Sequence, residues 1–140
     1  MSYFSKLNRL SGSIILIACG AMLVVIPNDA LAESTSSSTY QNSCRNIQVN
    51  EATLSARCSR ANGGTNTTSI QSRGIENRNG TLTYLSDATD SSNYQNSCQN
   101  IQVYKRFLSA RCDRVNGSSS TTSISIRGIE NQNGTLTYSR

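Results

Sequence analysis

The chain has 140 residues, with 13 Lys and Arg against 8 Asp and Glu, five cysteines, no histidine and no tryptophan. A net charge of +5 with no basic run longer than Lys105-Arg106 describes scattered surface charge rather than a nucleic-acid stripe. Without histidine or a close Cys-x-x-Cys pair, zinc chelation is a poor fit, so neither a metal nor another cofactor is expected.

In chain order, Lys6 and Arg9 give a positive start, and Ile14 to Ile26 is a mostly apolar run too short to span a membrane. Ala30-Leu31-Ala32 then offers a small-x-small cleavage pattern. Residues 1–32 therefore read as a secretory signal peptide cleaved after Ala32, and the product as secreted or periplasmic. A competing lipoprotein box, Leu16-Ile17-Ala18-Cys19, would leave only a stub of apolar segment before the cysteine. The Ser/Thr-rich residues 33–39 read as a disordered lead-in.

From Tyr40 onward the chain says everything twice, at an offset of 54 residues. Repeat one spans 40–84 and repeat two 94–138, joined by a polar, proline-free linker at 85–93 that is long enough to be flexible. Between 40–86 and 94–140, 32 of 47 positions are identical without a gap, so the copies share one fold. Two like surfaces suit a binder more readily than an enzyme. Beyond the signal, four cysteines remain, an even count that reads as two disulfides in an exported chain. Three connectivities are possible. The repeat favours Cys44–Cys58 with Cys98–Cys112, because this pairing satisfies both copies identically.

Within each copy the pattern is β. Leu54, Ala56 and Cys58 alternate with polar neighbours, as do Leu108, Ala110 and Cys112. Asn79-Gly80 and Asn133-Gly134 predict two-residue hairpin turns, and Asn62-Gly63-Gly64 another turn. No sustained 3.6-residue apolar period follows residue 32; a short helical turn near Ser72–Gly74 is the most the pattern allows. A copy of about 50 residues buries little core alone, so both should pack as one all-β, pseudo-symmetric domain. Tyr40 with Tyr94, Ile70 with Ile124, and Ile75 with Ile129 are the natural partners across the axis.

The polar residues that repeat carry the functional reading. Both copies keep Glu-Asn-x-Asn-Gly at 76–80 and 130–134, Gln-Asn-Ser before the first cysteine, and Arg-x-Asn-Gly after the second. Planar amides and carboxylates can engage two adjacent hydroxyls in one plane, as on a sugar ring. The plainer alternative is that Asn-Gly is a turn and Asn77 and Asn131 satisfy nearby backbone groups.

The ordered string of Cys-x13-Cys, Asn-Gly-Gly with Asn-Thr-Thr-Ser-Ile, and Ile-Glu-Asn-x-Asn-Gly-Thr-Leu-Thr-Tyr resembles the cyanovirin-N homology family over about residues 39–140. The resemblance implies three-stranded sheets plus β-hairpins with strand exchange between halves. It also implies a metal-free lectin for high-mannose glycans and glycoproteins, preferring terminal α(1→2)-linked mannose. Carried over by position, site one combines Glu76, Asn77, Arg78, Asn79, Asn93, Asn96, Ser97, Asp113, Arg114 and Val115. Site two combines Thr39, Asn42, Ser43, Ser59, Arg60, Ala61, Asn131, Gln132 and Asn133. The chain departs from the family's pattern at Asn79, Asn133, Asn96 and Ser59, where acidic residues are usual. Its linker is longer and lacks the family's proline, so a monomer is expected, with a domain-swapped dimer as the alternative.

Two other classes frame this reading. A glycoside hydrolase would draw on Glu76, Asp113 and Glu130, but Ser59 stands where the second copy would need its partner carboxylate. A binder of nucleic acid or anionic polysaccharide would need aromatics among positive charges, and only Tyr104 to Phe107 has that character.

Overall fold

The computed structural model describes residues 36–86 and 89–139; the signal peptide read from residues 1–32 lies outside them. Copy one runs through a single 3-10 turn (Tyr40–Asn42), β1 (Cys44–Asn50), β2 (Thr53–Ser59), β3 (Thr65–Gln71), β4 (Ile75–Arg78) and β5 (Thr81–Tyr84). Copy two repeats the order with a 3-10 turn (Tyr94–Asn96), β6 (Cys98–Tyr104), β7 (Phe107–Asp113), β8 (Ser119–Ser125), β9 (Ile129–Gln132) and β10 (Thr135–Tyr138). Each copy thus forms an antiparallel three-stranded sheet, β1-β2-β3 or β6-β7-β8, and a separate hairpin, β4-β5 or β9-β10. The fold is all-β as the alternation predicts. The helical turn expected near Ser72–Gly74 is corrected: the helical turns sit at the two Tyr-Gln-Asn segments. Ser72 N and Gly74 N instead donate to Ala52 O and Asp90 O, at 2.8 and 2.7 Å.

The strands follow their sequence pattern. Leu54, Ala56 and Cys58 point inward from β2, and Leu108, Ala110 and Cys112 from β7, all buried. The register places Cys44 directly opposite Cys58, and Cys98 opposite Cys112. Both expected disulfides form, each closing a sequence separation of 14. Just beyond each cysteine a bulge interrupts the ladder, with Asn46 and Asn100 at φ +51°. Asparagine tolerates that left-handed conformation better than most residues.

The hairpins are exchanged between the copies. β5 packs on β8 of the other copy, and β10 on β3. Leu82 N donates to Thr122 Oγ1 and Leu136 N to Thr68 Oγ1, both at 3.2 Å. The phenols of Tyr84 and Tyr138 donate to Ser125 O and Gln71 O. At the tips, Asn79-Gly80 and Asn133-Gly134 have φ of +49°/+84° and +49°/+89°, as two-residue turns of this kind require. Gly80 is fixed twice over, because a Cβ there would meet Arg114 Cγ and Ser120 Oγ at 2.6 Å. Gly80→Ala therefore combines left-handed strain with overpacking, and should lower the urea unfolding free energy by about 2–4 kcal/mol.

One core serves both copies, which form one compact unit. Tyr40, Tyr94, Leu54, Leu108, Ile75 and Ile129 have no exposed surface, and Ile70 and Ile124 pack against them. Each buried tyrosine reaches into the other copy: Tyr40 Oη donates to Lys105 O at 2.8 Å and Tyr94 Oη to Glu51 O at 2.9 Å. Burial raises the pKa of both phenols, and that of Tyr138 from 10.0 to about 12 against the opposing pull of Arg73. The folded state thus favours the neutral phenol. Its contribution is complete below pH 10, where unfolded tyrosine is also neutral, and is lost as pH rises toward and through the folded values. Stability measured in urea should be flat from pH 7 to about 9.5 and fall above pH 10, and Tyr40→Phe should shallow that fall.

Two expectations about the connections need correcting. Residues 36–39, read as part of a disordered lead-in, are structural. Ser38 is buried, its Oγ accepting from Ile129 N at 3.0 Å, while Thr39 N donates to Ile129 O and Gly128 N to Ser36 O. The linker is likewise tied at both ends, with Leu85 N on Gly74 O, Ser92 buried, and Asn93 N on Ile75 O. The structural repeat therefore begins at 36 and 90, four residues earlier than Tyr40 and Tyr94. Ser37-Ser38 and Ser91-Ser92, matched at the same offset of 54, were its sequence signal.

Candidate carbohydrate site

Hairpin exchange creates two equivalent junctions, each where one copy's Asn-Gly hairpin meets the other copy's bridged strands. At the first junction, Asn77 Nδ2 donates to Ser97 Oγ and to Asp113 O, both at 2.9 Å, while its Oδ1 accepts from Gly80 N at 2.8 Å. Asn79 Oδ1 accepts from Val115 N at 3.0 Å. At the second, Asn131 repeats this on Ser43 Oγ, Ser59 O and Gly134 N, and Asn133 Oδ1 accepts from Ala61 N. The disulfide supports the arrangement directly. Ser43 and Ser59 flank Cys44 and Cys58, and Ser59 N donates to Ser43 O at 2.9 Å. The bridge thus presents both acceptors of the Asn131 amide side by side.

The ten residues read as site one gather at the first junction. Glu76, Asn77, Arg78 and Asn79 come from the hairpin, Asn93, Asn96 and Ser97 from the 3-10 turn, and Asp113, Arg114 and Val115 from the end of β7. Thr39, Asn42, Ser43, Ser59, Arg60 and Ala61 gather likewise with Asn131, Gln132 and Asn133. The contiguous hairpin run, however, divides between two faces, because side chains alternate along a strand. Asn77 and Asn79 turn toward the other copy, where their side chains act as cross-copy clamps. Glu76 lies on the opposite face, held by Arg78 Nη2 at 2.7 Å, and Glu130 is held by Gln132 Nε2 at 2.8 Å. The plainer reading of Asn77 and Asn131 as backbone-satisfying residues is therefore correct for their amides.

What remains for a ligand is the junction's outer rim. Asn42 and Asn96 are exposed, and their side chains make no hydrogen bond to the described residues. Arg60, Arg114 and Val115 are exposed beside them, the last almost completely. On the face away from the clamp, Glu130, Gln132, Thr137 and Tyr138 line an open concavity of about 430 Å³. Arg73 stacks on the Tyr138 ring at 4.6 Å, and Arg127 on the equivalent Tyr84 at 4.5 Å. Thr83 Oγ1 and Thr137 Oγ1 are buried with no hydrogen-bond partner among the described residues. Of the residues lining this concavity, the sequence reading named only Gln132 as a sugar contact and not Glu130, Thr137 or Tyr138. The repeat could have found Glu130, since its counterpart Glu76 was included, whereas Thr137 and Tyr138 become visible only once Glu130 pairs with Thr137 across the hairpin. Among the described residues there is no cluster of three potential metal ligands, and no helix long and apolar enough to cross a membrane.

A duplicated, bridged body with exchanged hairpins is a specific architecture, and the CVNH domain family matches residues 40–137 of this chain. The chain belongs to the CVNH, or cyanovirin-N homology, family. CVNH lectins are carbohydrate-binding and non-catalytic, which removes the hydrolase alternative for Glu76, Asp113 and Glu130. No curated protein matches the chain. Among solved structures, TbCVNH of T. borchii is 28% identical, covering 71% of this chain and 98% of its own, at a TM-score of 0.60. A MoCVNH3 variant in complex with (N-GlcNAc)4 is 19% identical with a TM-score of 0.62, covering 74% and 99%. Microvirin, solved with mannobiose, is 22% identical with a TM-score of 0.57, covering 71% and 97%. These likenesses agree with the CVNH fold, and the packing of β5 on β8 and of β10 on β3 is the exchange between halves that the family resemblance implies.

Proposed function

We propose that this CVNH domain is a secreted lectin for high-mannose oligosaccharides, binding terminal α(1→2)-linked mannose once at each junction. The observation that carries this reading is the pair of equivalent, amide-rich rims around Asn42 and Asn96, held by a disulfide and a cross-copy asparagine clamp. Each hydrogen bond to a sugar hydroxyl contributes only about 1 kcal/mol net, so several must be placed without further ordering cost. The rigid junction meets that requirement. The protein acts as a monomer whose two sites give avidity on branched glycans, and the segment 1–32 directs export and is removed after Ala32.

Calorimetric titration with α(1→2)-mannobiose should give two equivalents per chain, with the same heats in EDTA. Sedimentation should give the monomer mass. Because one related structure holds (N-GlcNAc)4, that tetrasaccharide is the competitor to run beside it. Binding of the GlcNAc oligomer alone, or no mannobiose heat at millimolar ligand, would overturn the mannose assignment.

Asn42→Ala and Asn96→Ala are the clean probes of this site, since neither side chain supports the fold. Each should remove one equivalent of mannobiose while leaving the unfolding free energy within about 0.5 kcal/mol of the parent.

A further inference from the structure

The duplication supplies its own control for what the fold requires, and one place stands out against it. Of the 15 positions that differ between 40–86 and 94–140, four fall consecutively, the longest such run. Asn50-Glu51-Ala52-Thr53 in copy one becomes Tyr104-Lys105-Arg106-Phe107 in copy two. Both stretches form the same two-residue turn, with Glu51 and Lys105 at φ +53° and +55°. Both are anchored alike: Glu51 O and Lys105 O accept from Tyr94 and Tyr40, and Ala52 O and Arg106 O accept from Ser72 N and Ile126 N. The backbone thus needs none of the aromatic or basic side chains of copy two. Tyr104, Lys105 and Phe107 nevertheless face water, Tyr104 at 73% exposure and Phe107 at 46%, while Arg106 is half-buried where copy one buries Ala52.

We propose that the β6–β7 tip is a separate binding site for an anionic polysaccharide, one bearing uronate or sulfate groups. Tyr104 and Phe107 are directly paired across the hairpin, so their side chains leave the same face and form a platform. The C–H face of a pyranose stacks on such a surface. Lys105 Nζ lies 5.5 Å from the Tyr104 ring centre and Arg106 Cζ 5.3 Å from that of Phe107, setting a cation beside each ring. From Cys98 to Cys112 the hairpin carries Lys105, Arg106 and Arg111 and no carboxylate, whereas copy one carries Glu51 in the corresponding turn. The charges therefore match a carboxylate or sulfate on the stacked sugar. Nucleic acid fits less well, since the cations are confined to one tip instead of tracking several phosphates. A lipid surface also fits less well, because the turn offers no aliphatic side chain to bury. The site is distinct from both junctions, and its existence does not depend on mannose binding.

The experiment is calorimetric titration of the chain with oligogalacturonate and with sulfated dextran oligosaccharide, neutral dextran serving as control. One anionic oligosaccharide site per chain is expected, weakened by added NaCl and silent toward neutral dextran. Grafting copy one's own tip, as Tyr104→Asn/Lys105→Glu/Arg106→Ala/Phe107→Thr, should weaken it by roughly tenfold or more, with urea unfolding as the independent check of the fold. The reciprocal graft, Asn50→Tyr/Glu51→Lys/Thr53→Phe, should raise the stoichiometry to two, and it decides the matter should the first graft fail to fold. Unchanged affinity in the first graft, or unchanged stoichiometry in the second, overturns the proposal. So does preference for oligothymidylate or phosphatidylglycerol vesicles, or a self-association that the first graft abolishes.

Discussion

Replacing Cys98 and Cys112 by serine should lower the unfolding free energy by about 3 kcal/mol, and removing both bridges by about 6 kcal/mol. Each bridge closes a loop of about 15 residues in the unfolded chain, and the chain-entropy model assigns roughly 3 kcal/mol to a loop of that size. Domains of this kind have only about 5–15 kcal/mol in total, so losing both bridges should remove from about two-fifths of that stability to all of it. The physical reason lies in the sequence: each copy buries a small core, and the two copies share it. Urea unfolding of parent, single-bridge and bridge-free chains, each as the exported form, gives the comparison. A second readout follows from the site. Because Cys44 and Cys58 are flanked by the two acceptors of Asn131, losing that bridge should also weaken the mannobiose site at the second junction while sparing the first.

The next largest effect belongs to the asparagine clamps. Asn77→Ala removes three hydrogen bonds at once, leaving Gly80 N without its acceptor at a partly buried place and opening the exposed bond to Asp113 O. At about 1 kcal/mol for each bond lost, the cost should be about 2–3 kcal/mol, and about 4–6 kcal/mol when Asn131→Ala is added. Glu76→Ala combined with Asn77→Ala would therefore unsettle the fold along with the first junction. Asn77→Asp is the informative control. It keeps the acceptor for Gly80 N but removes the donors to Ser97 and Asp113, and it sets a carboxylate against the Asp113 carbonyl. It should destabilise about as much as alanine, whereas a purely ligand-contacting asparagine would leave urea stability untouched.

Much of this could be read from the chain because the duplication constrains the answer. The cysteine pairing followed from requiring both copies to be satisfied alike, and the Asn-Gly turns from the φ > 0 that both central positions need. Strand alternation found Leu54, Ala56 and Cys58 as a buried face. The hairpin exchange is not a local property of any segment; it entered through the family resemblance. Residues 36–39 were missed because low-complexity serine looks unstructured. Ser38 is held by one long-range hydrogen bond to Ile129 N, a contact that no local pattern announces. The division of 76–79 into two faces was available from the strand period, yet treating the motif as one unit concealed it. Thr137 and Tyr138 join Glu130 only through cross-strand register and burial, which composition does not carry.

Two equivalent sugar-binding rims built by hairpin exchange should each take one mannobiose. The most direct test of both rims is a titration of isotopically labelled protein with α(1→2)-mannobiose, following every backbone amide. Shifts should cluster at residues 39–43, 59–61 and 131–133 and, separately, at 76–79, 93–97 and 113–115, with Asn42→Ala silencing the first set and Asn96→Ala the second. Shifts confined to one set, or centred on another part of the surface, would contradict one mannobiose at each rim.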